Sequence, residues 1–266
     1  MSMTTTRYPP IPVHEFRRFI RIVRRLRAEC PWDKAQTHRS LRASLIEEAY
    51  EVVETLDRRN MAGLMPELGD LLLHVAMHAT IAEQRGEFTL QHVLRNINDK
   101  LIRRHPHVFG SATVRGARDV EHRWERLKMR EGRRSLLDGV PTALPSLQRA
   151  LRVQQRASKA GFDWERAGDV WKKVREEMEE LRTASRREAW ARREEEFGDL
   201  LFALVNFARF LGVDPEQALR GTVRRFTHRF RYIERSLARR GRSVQNATLG
   251  EMDALWNKAK RKRRSS

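Results

Sequence analysis

Two short acidic motifs place carboxylates where they could hold a divalent metal ion. In E-E-x-x-E from Glu47 and E-x-x-D from Glu67, acids three or four residues apart lie along one side of a helix. If two such helices face each other, the carboxylates converge, and their charges then require a cation. Oxygen ligands of this kind suit Mg²⁺ or Mn²⁺ rather than zinc. The metal ligands predicted in the first half of the chain are Glu48, Glu51, Glu67 and Asp70.

Both acidic motifs occur a second time at one fixed separation. Residues 47–51 recur at 176–180 and residues 67–72 at 196–201, in each case 129 positions later (176 − 47 and 196 − 67). The alternative, a pair of solvated helix faces, is disfavoured by this repetition in a chain of net charge +19. The second set of predicted ligands is Glu177, Glu180, Glu196 and Asp199. Apolar runs follow Asp70 and Asp199, and we expect these runs to be buried.

Basic and aromatic residues also recur at helical spacing. Lys100 and Arg104 correspond to Arg225 and Arg229, which can clasp phosphate oxygens. Tryptophan and lysine four residues apart offer an aromatic face for a base or sugar beside a cation. A solvated basic face and a core tryptophan are the structural alternatives. The predicted substrate-binding residues of this group are Arg225, Arg229, Trp256 and Lys260, with Trp124 and Lys128 as the first-half counterparts of the last two.

Only the second copy adds polar groups around its acids. Lys173 aligns with Ser44, and Asn206 aligns with Met77, so we predict that Lys173 and Asn206 bind substrate. Helix packing is an equally open role for Asn206. Glu176, four residues before an acid of the cluster, is predicted to orient or deprotonate a water. We therefore expect the second copy to be the main catalyst, with the catalytic residues Glu176, Glu177 and Glu180.

The elements that position these residues are predicted to be helices throughout. Apolar residues follow helical spacing, and period-2 alternation of β-branched residues is almost absent. The predicted helices are 13–28, 38–58, 62–85, 89–104, 117–131, 145–159, 165–185, 187–211, 215–239 and 248–262. We predict an all-α protein with two tandem helical-bundle domains. Their ranges are 13–132 and 146–262, with a linker at 133–145 and a basic tail at 263–266.

Composition narrows the class of protein without choosing a partner. Lysine and arginine number 54 against 35 acidic residues, which favours polyanionic partners such as nucleic acid, phosphate-rich ligands or acidic membranes. The single cysteine, Cys30, excludes an intramolecular disulfide and a cysteine-only metal site. Without a signal peptide or membrane span in the sequence, we expect a cytoplasmic protein.

A basic nucleic-acid-binding protein or a helical scaffold without catalysis is the rival interpretation. The segment 258–264 would suit phosphate backbones, although only for non-specific binding, since no base-reading motif is visible. Neither rival requires acids that converge twice.

The order of the motifs resembles the MazG family of nucleoside triphosphate pyrophosphohydrolases. The acidic pairs are joined by C-P-W-D-K-x-Q-T from Cys30, R-R-H-P-H-V-F from Arg103 and G-F-D-W from Gly161. The resemblance implies an all-α homodimer that uses Mg²⁺ to hydrolyse NTP or dNTP to the monophosphate and pyrophosphate. It also implies that the C-terminal domain carries the activity, with metal held at the second set of acids.

Overall fold

Helices make up all of the regular secondary structure in the part of the chain that the structure describes. This computed structural model describes residues 9–116, 119–120, 135–187 and 189–262. The chain divides between residues 125 and 126 into two compact units. No helix within the described ranges is long and apolar enough to span a bilayer. The all-α prediction is confirmed.

In its described residues, the first unit contains four long helices and two single-turn helices. Their bounds are α1 Val13–Glu29, α2 Pro31–Ala35, α3 Arg42–Asp57, α4 Met61–Gln84, α5 Leu90–Arg104 and α6 Pro106–Phe109. Local caps define two of the starts. The Asn60 side chain accepts a hydrogen bond from the Gly63 amide at α4, and Thr89 forms a capping box with His92 at α5.

Apolar side chains from α1 and α4 form the core of the first unit. Val23 of α1 is buried with Met77 and Ile81 of α4, and Leu41 closes the cluster from the turn before α3. Helix α3 packs along α4 as well. This packing holds the two acid-bearing helices, α3 and α4, side by side.

The second unit repeats the paired helices with different partners. Its elements are α7 Ser146–Lys159, α8 Ala167–Arg187, α9 Trp190–Phe210, α10 Pro215–Ala238, a 3-10 turn at Val244–Asn246, and α11 Leu249–Lys262. Helix α8 packs against α9, and α7 also packs on α9. Between α10 and α11 lies a core cluster of Ile233, Leu237 and Leu255. The acid-bearing helices α8 and α9 are therefore neighbours, as α3 and α4 are.

Except at the start of α3, the boundaries of the described long helices lie within three residues of the predicted ones. Helix α3 begins at Arg42 rather than at residue 38, because Thr37 and Ser40 exchange side chain to backbone hydrogen bonds in a turn. The short elements α2, α6 and the 3-10 turn were not predicted, since a single turn carries no periodicity. The predicted helix 117–131, with Trp124 and Lys128, falls almost wholly outside the described residues, as does the tail 263–266. The domain boundaries stay a prediction.

The expectation that the apolar runs after the acids are wholly buried is wrong for the single chain. In α4, Ala76 and Met77 are buried, but Leu72 and Val75 are exposed. In α9, Phe202 is exposed in the same way. Each run is apolar on two faces, and the neighbouring helices of its own unit cover only one of them.

Candidate active site

The first unit brings three carboxylates together between α3 and α4. Oxygen atoms of Glu48, Glu67 and Asp70 all lie within 4.8 Å of one another. Glu48 and Glu67 are half-buried, and Asp70 is exposed. Within the described ranges, no lysine or arginine forms an ion pair with any of these three acids. We call these residues the first-unit cluster.

The second unit builds the same arrangement more deeply between α8 and α9. Glu177, Glu196 and Asp199 have oxygen atoms within 4.8 Å of one another, and they form the second-unit cluster. Glu177 is only 6% exposed and Glu196 only 3%. Buried carboxylates need compensating charge or hydrogen bonds, so this group must bind something positive.

Two basic side chains of the second unit already supply positive charge to this cluster. The Lys173 ammonium lies 2.8 Å from a Glu177 oxygen and 2.6 Å from a Glu176 oxygen, and these bonds raise the lysine pKa. One turn before Glu196, the Arg192 guanidinium lies 2.5 Å from the Glu196 carboxylate. Sequence analysis named Lys173 but missed Arg192, although its position four residues before Glu196 was readable in the printed sequence.

A fourth acid lies beside each cluster rather than in it. Of the four acids predicted to converge in each unit, the structure brings three together. Desolvation, with a hydrogen bond and charge repulsion from Glu67, raises the pKa of Glu51. Desolvation and the charge of Glu177 raise the pKa of Glu180, although Lys173 lowers it in part. Glu51 and Glu180 thus share the electrostatic field of the clusters without entering the tight group.

A largely apolar cavity adjoins the second-unit cluster. Its volume is about 780 Å³, and Glu177 and Asp199 form part of its wall. Aromatic side chains contribute apolar surface, and polar groups interrupt it at a few positions. The residues of the wall include Gln154, Phe162, Trp164, Lys173, Phe202 and Asn206. A planar aromatic ligand with an anionic end matches this combination of apolar wall, cation and acids.

The amide of Gln154 is held in one orientation at this cavity. Its Nε2 donates to the Phe202 carbonyl at 2.8 Å, and its Oε1 is buried without a partner among the described residues. A buried unpaired acceptor is costly unless a ligand donates to it. Sequence analysis missed this residue because a glutamine on an amphipathic helix carries no motif.

The predicted residue Asn206 also lines the cavity, and two other side chains orient it. Its Oδ1 accepts from Arg209 at 2.8 and 3.0 Å, and Arg209 in turn forms a two-pronged ion pair with Asp163. Burial raises the pKa of Asp163, but hydrogen bonds from Arg209 and Ser158 outweigh this and hold it below its usual range. Because Oδ1 is occupied, Asn206 presents its amide nitrogen as a donor.

The remaining predicted substrate residues lie on α10 and α11, and none of them lines the cavity. The Arg229 guanidinium lies 5.1 Å from the centroid of the Trp256 ring, a cation–π contact. Arg225 donates to the Thr222 hydroxyl at 2.7 Å, and Lys260 is exposed beside Asn257. Trp256 packs on the α10–α11 core, so the structural alternative for this tryptophan holds in part.

In the first unit, histidines occupy positions that are apolar in the second. His74 aligns with Ala203 of the cavity wall, and His78 aligns with Phe207, at the same offset of 129. His74 is buried, and its Nδ1 has no described partner. His78 stacks on His38 with ring centroids 5.0 Å apart, and desolvation lowers its pKa. The two units thus have the same acids at corresponding positions, but the side chains next to those acids differ.

Family models place both acid-bearing halves of this all-α chain among the nucleotide pyrophosphohydrolases. Residues 36–109 match the MazG nucleotide pyrophosphohydrolase domain, and residues 144–225 match the phosphoribosyl-ATP pyrophosphohydrolase family. The chain belongs to the MazG family of nucleoside triphosphate pyrophosphohydrolases, because it matches named members over nearly their whole length. The resemblance found in the sequence is thereby confirmed.

Curated relatives include two proteins with that name and one without it. The chain is 43% identical to the MazG nucleoside triphosphate pyrophosphohydrolase/pyrophosphatase of Thermotoga maritima, over 92% of the chain and 95% of that protein. It is 40% identical to the nucleoside triphosphate pyrophosphohydrolase of Escherichia coli K12, over 94% of the chain and 98% of that protein. It is 46% identical to the uncharacterized protein YabN of Bacillus subtilis, of which it spans 56%.

Proposed function

We propose that the chain hydrolyses nucleoside triphosphates, NTP or dNTP, to the monophosphate and pyrophosphate, with the second unit as the main active site. One observation carries the assignment to the second unit. Only there does the structure describe an acid cluster with two buried members, Glu177 and Glu196, with Lys173 at its side and a cavity large enough for a base next to it. The names of the relatives that match over nearly their whole length support the reaction.

The second-unit cluster suits a divalent cation of the Mg²⁺ or Mn²⁺ type. All of its donors are carboxylate oxygens, the ligands that such ions prefer. Glu177, Glu196 and Asp199 would hold the ion, with Glu180 beside them. Such an ion, when bound, neutralises phosphate charge and lowers the pKa of a bound water. The first-unit acids could hold the same kind of ion.

The protein's own side chains divide the remaining tasks. We assign orientation of the attacking water to Glu180 rather than Glu176, because Glu176 is already bonded to Lys173, whereas the pKa of Glu180 is raised. A base with a raised pKa accepts a proton more readily. Lys173 binds phosphate oxygens at the cavity rim.

The cavity then receives the base of the nucleotide. Trp164 and Phe202 offer faces for stacking, Gln154 offers its unpaired Oε1 as an acceptor, and Asn206 offers an amide donor. Every nucleobase presents both donors and acceptors on its edge, so these two amides orient a base without choosing one.

A homodimer completes the proposal. Several large apolar side chains of α9 and α10 are exposed in the single chain, among them Leu201, Leu204 and Phe226. A second copy that covered such faces would bury the roughly 2,000 Å² or more typical of obligate pairs. Arg225, Arg229, Trp256 and Lys260 remain our candidates for additional phosphate and base contacts.

Product analysis with a panel of triphosphates tests this function. We expect normal or modified triphosphates with Mg²⁺ to yield monophosphate and pyrophosphate, not diphosphate and phosphate. Glu177→Gln should abolish pyrophosphate release, while the matched first-unit change Glu48→Gln leaves most of it. The reverse pattern would assign catalysis to the first unit. Phosphoribosyl-ATP belongs in the panel because the family model matching residues 144–225 is named for it.

Strong salt-dependent retention on heparin without any turnover would favour the rival, a basic nucleic-acid-binding protein.

A further inference from the structure

We propose that Lys173 and Arg192 are exchangeable counter-ions of the second-unit cluster. This cluster then takes up its divalent cation together with a triphosphate, whereas the first-unit cluster binds the cation alone. The inference rests on the proposed function, since it assumes that both clusters hold a divalent ion and that the second one receives triphosphates.

The ion pairs occupy the cluster's most buried acids. Lys173 lies 2.8 Å from Glu177, and Arg192 lies 2.5 Å from Glu196. Each basic residue precedes its acid by four positions, so the helix itself holds the pair together. A divalent cation that arrives from solution must therefore displace two positively charged side chains that already neutralise these acids.

Exposure shows which partner of each pair can leave. The side chains of Lys173 and Arg192 are 36% and 50% exposed, while those of Glu177 and Glu196 are 7% and 3% exposed. The carboxylates are thus fixed by packing, and the long basic side chains can rotate towards solvent. A triphosphate arriving at the rim offers them several anionic oxygens in exchange for the carboxylates.

Among the described residues of the first unit, no basic side chain takes the place of Lys173 or Arg192. At the fixed offset of 129, Lys173 corresponds to Ser44 and Arg192 to Gly63. In the described part of the first unit, Glu48, Glu67 and Asp70 form no ion pair with a basic side chain. Three close carboxylates without a local cation attract a divalent ion directly, so this cluster needs no nucleotide to load.

A calorimetric titration of the full chain with Mn²⁺ alone tests which cluster binds the ion without nucleotide. We expect a nucleotide-independent site that Glu48→Gln or Asp70→Asn weakens at least about tenfold and that Glu177→Gln leaves unchanged. When α,β-methylene-ATP, which cannot be cleaved at the α–β bond, is added, we expect further Mn²⁺ binding that Glu177→Gln or Asp199→Asn removes. Circular dichroism confirms that each variant is folded.

Removal of the counter-ions is the decisive arm. The double variant Lys173→Met/Arg192→Met should bind Mn²⁺ at the second-unit cluster without nucleotide, at least about tenfold tighter than the wild type. It should also bind α,β-methylene-ATP more weakly. The control Arg182→Met removes an exposed cation of α8 that is paired with Glu179. It should change neither the affinity for Mn²⁺ nor the affinity for α,β-methylene-ATP.

Two results would overturn the inference. One is nucleotide-free Mn²⁺ binding that Glu177→Gln removes and Glu48→Gln does not. The other is a double variant whose second-unit cluster gains no affinity. A wild-type protein that releases no pyrophosphate from any triphosphate would instead overturn the proposed function, and the Mn²⁺ titration separates the two failures because it requires no turnover.

Discussion

Replacement of Arg209 by methionine should destabilise the second unit and loosen its cavity together. Arg209 bonds both oxygens of Asp163, which lies before α8, and the Asn206 amide one turn back on α9. The pair is largely buried, with 15% of the Arg209 and 25% of the Asp163 side chain exposed. Methionine keeps an apolar stem but removes the guanidinium, whose Cζ lies 4.6 Å from the centroid of the Phe210 ring.

The expected loss of unfolding free energy is about 2 to 3 kcal/mol. Breaking a fully buried pair costs about 3 to 5 kcal/mol because one charge is left uncompensated. Here Asp163 keeps hydrogen bonds from the Ser158 hydroxyl at 2.6 Å and the Trp164 amide at 2.9 Å, which reduces the penalty. Without Arg209 the Asn206 amide is free to rotate, so we expect KM to rise several-fold with a smaller change in kcat.

Urea unfolding at several pH values measures this loss. The pKa of Asp163 is lowered in the folded state, so the stabilisation is present above its unfolded value of about 4. It disappears as the pH falls through the lower folded pKa. The wild-type and Arg209→Met midpoints should therefore converge in acid. Arg182→Met, which breaks an exposed pair, should change stability by less than about 1 kcal/mol.

Equal midpoints for Arg209→Met and wild type at pH 7 would refute the reasoning. So would a difference that persists unchanged below the folded pKa of Asp163, since the effect would then come from packing rather than from the ion pair.

Three further changes test other parts of the structure. Ala203→His introduces into the cavity wall the residue that the first unit has at the corresponding position, His74. It should raise KM at least about tenfold, because the imidazole fills space that we assign to the base, while the circular dichroism spectrum stays unchanged. Glu251→Gln should lower the Tm at pH 7, because Arg242 and the Thr248 amide hold the Glu251 pKa at about 2; the difference from wild type should vanish as the pH falls from about 4 to about 2. EDTA should abolish pyrophosphate release, and Mg²⁺ in excess should restore it; turnover that survives chelation would contradict a metal-dependent site.

The acid motifs were predictable because helical spacing is a local property. Residues three and four apart face the same side whatever the helix packs against, so the convergence of Glu48 with Glu67 and Asp70, or of Glu177 with its partners, needed only two adjacent helices. The repeat at offset 129 indicated that adjacency twice. Which acids enter the tight group depends on the register between the two helices, and the sequence does not give that register. Glu51 and Glu180 lie beside the group.

Burial was the property that sequence patterns judged least well. Leu72 and Phe202 lie in runs that read as core, yet both are exposed, because a run that is apolar all round does not state which face its own unit covers. The role of Gln154 was equally invisible. Its Oε1 faces the cavity only because its Nε2 bonds a carbonyl of another helix.

Sequence alone determined the helical class, the twofold occurrence of the acids and the family, since periodicity, spacing and motif order are properties of residue order along the chain. The tertiary structure decided how the two copies differ. Paired cations and a cavity lie beside Glu177, whereas the acids around Glu48 have no basic partner among the described residues and lie beside the buried His74. These differences arise between helices, where packing decides which side chains come into contact. Such contacts cannot be read from the separation of residues along the chain.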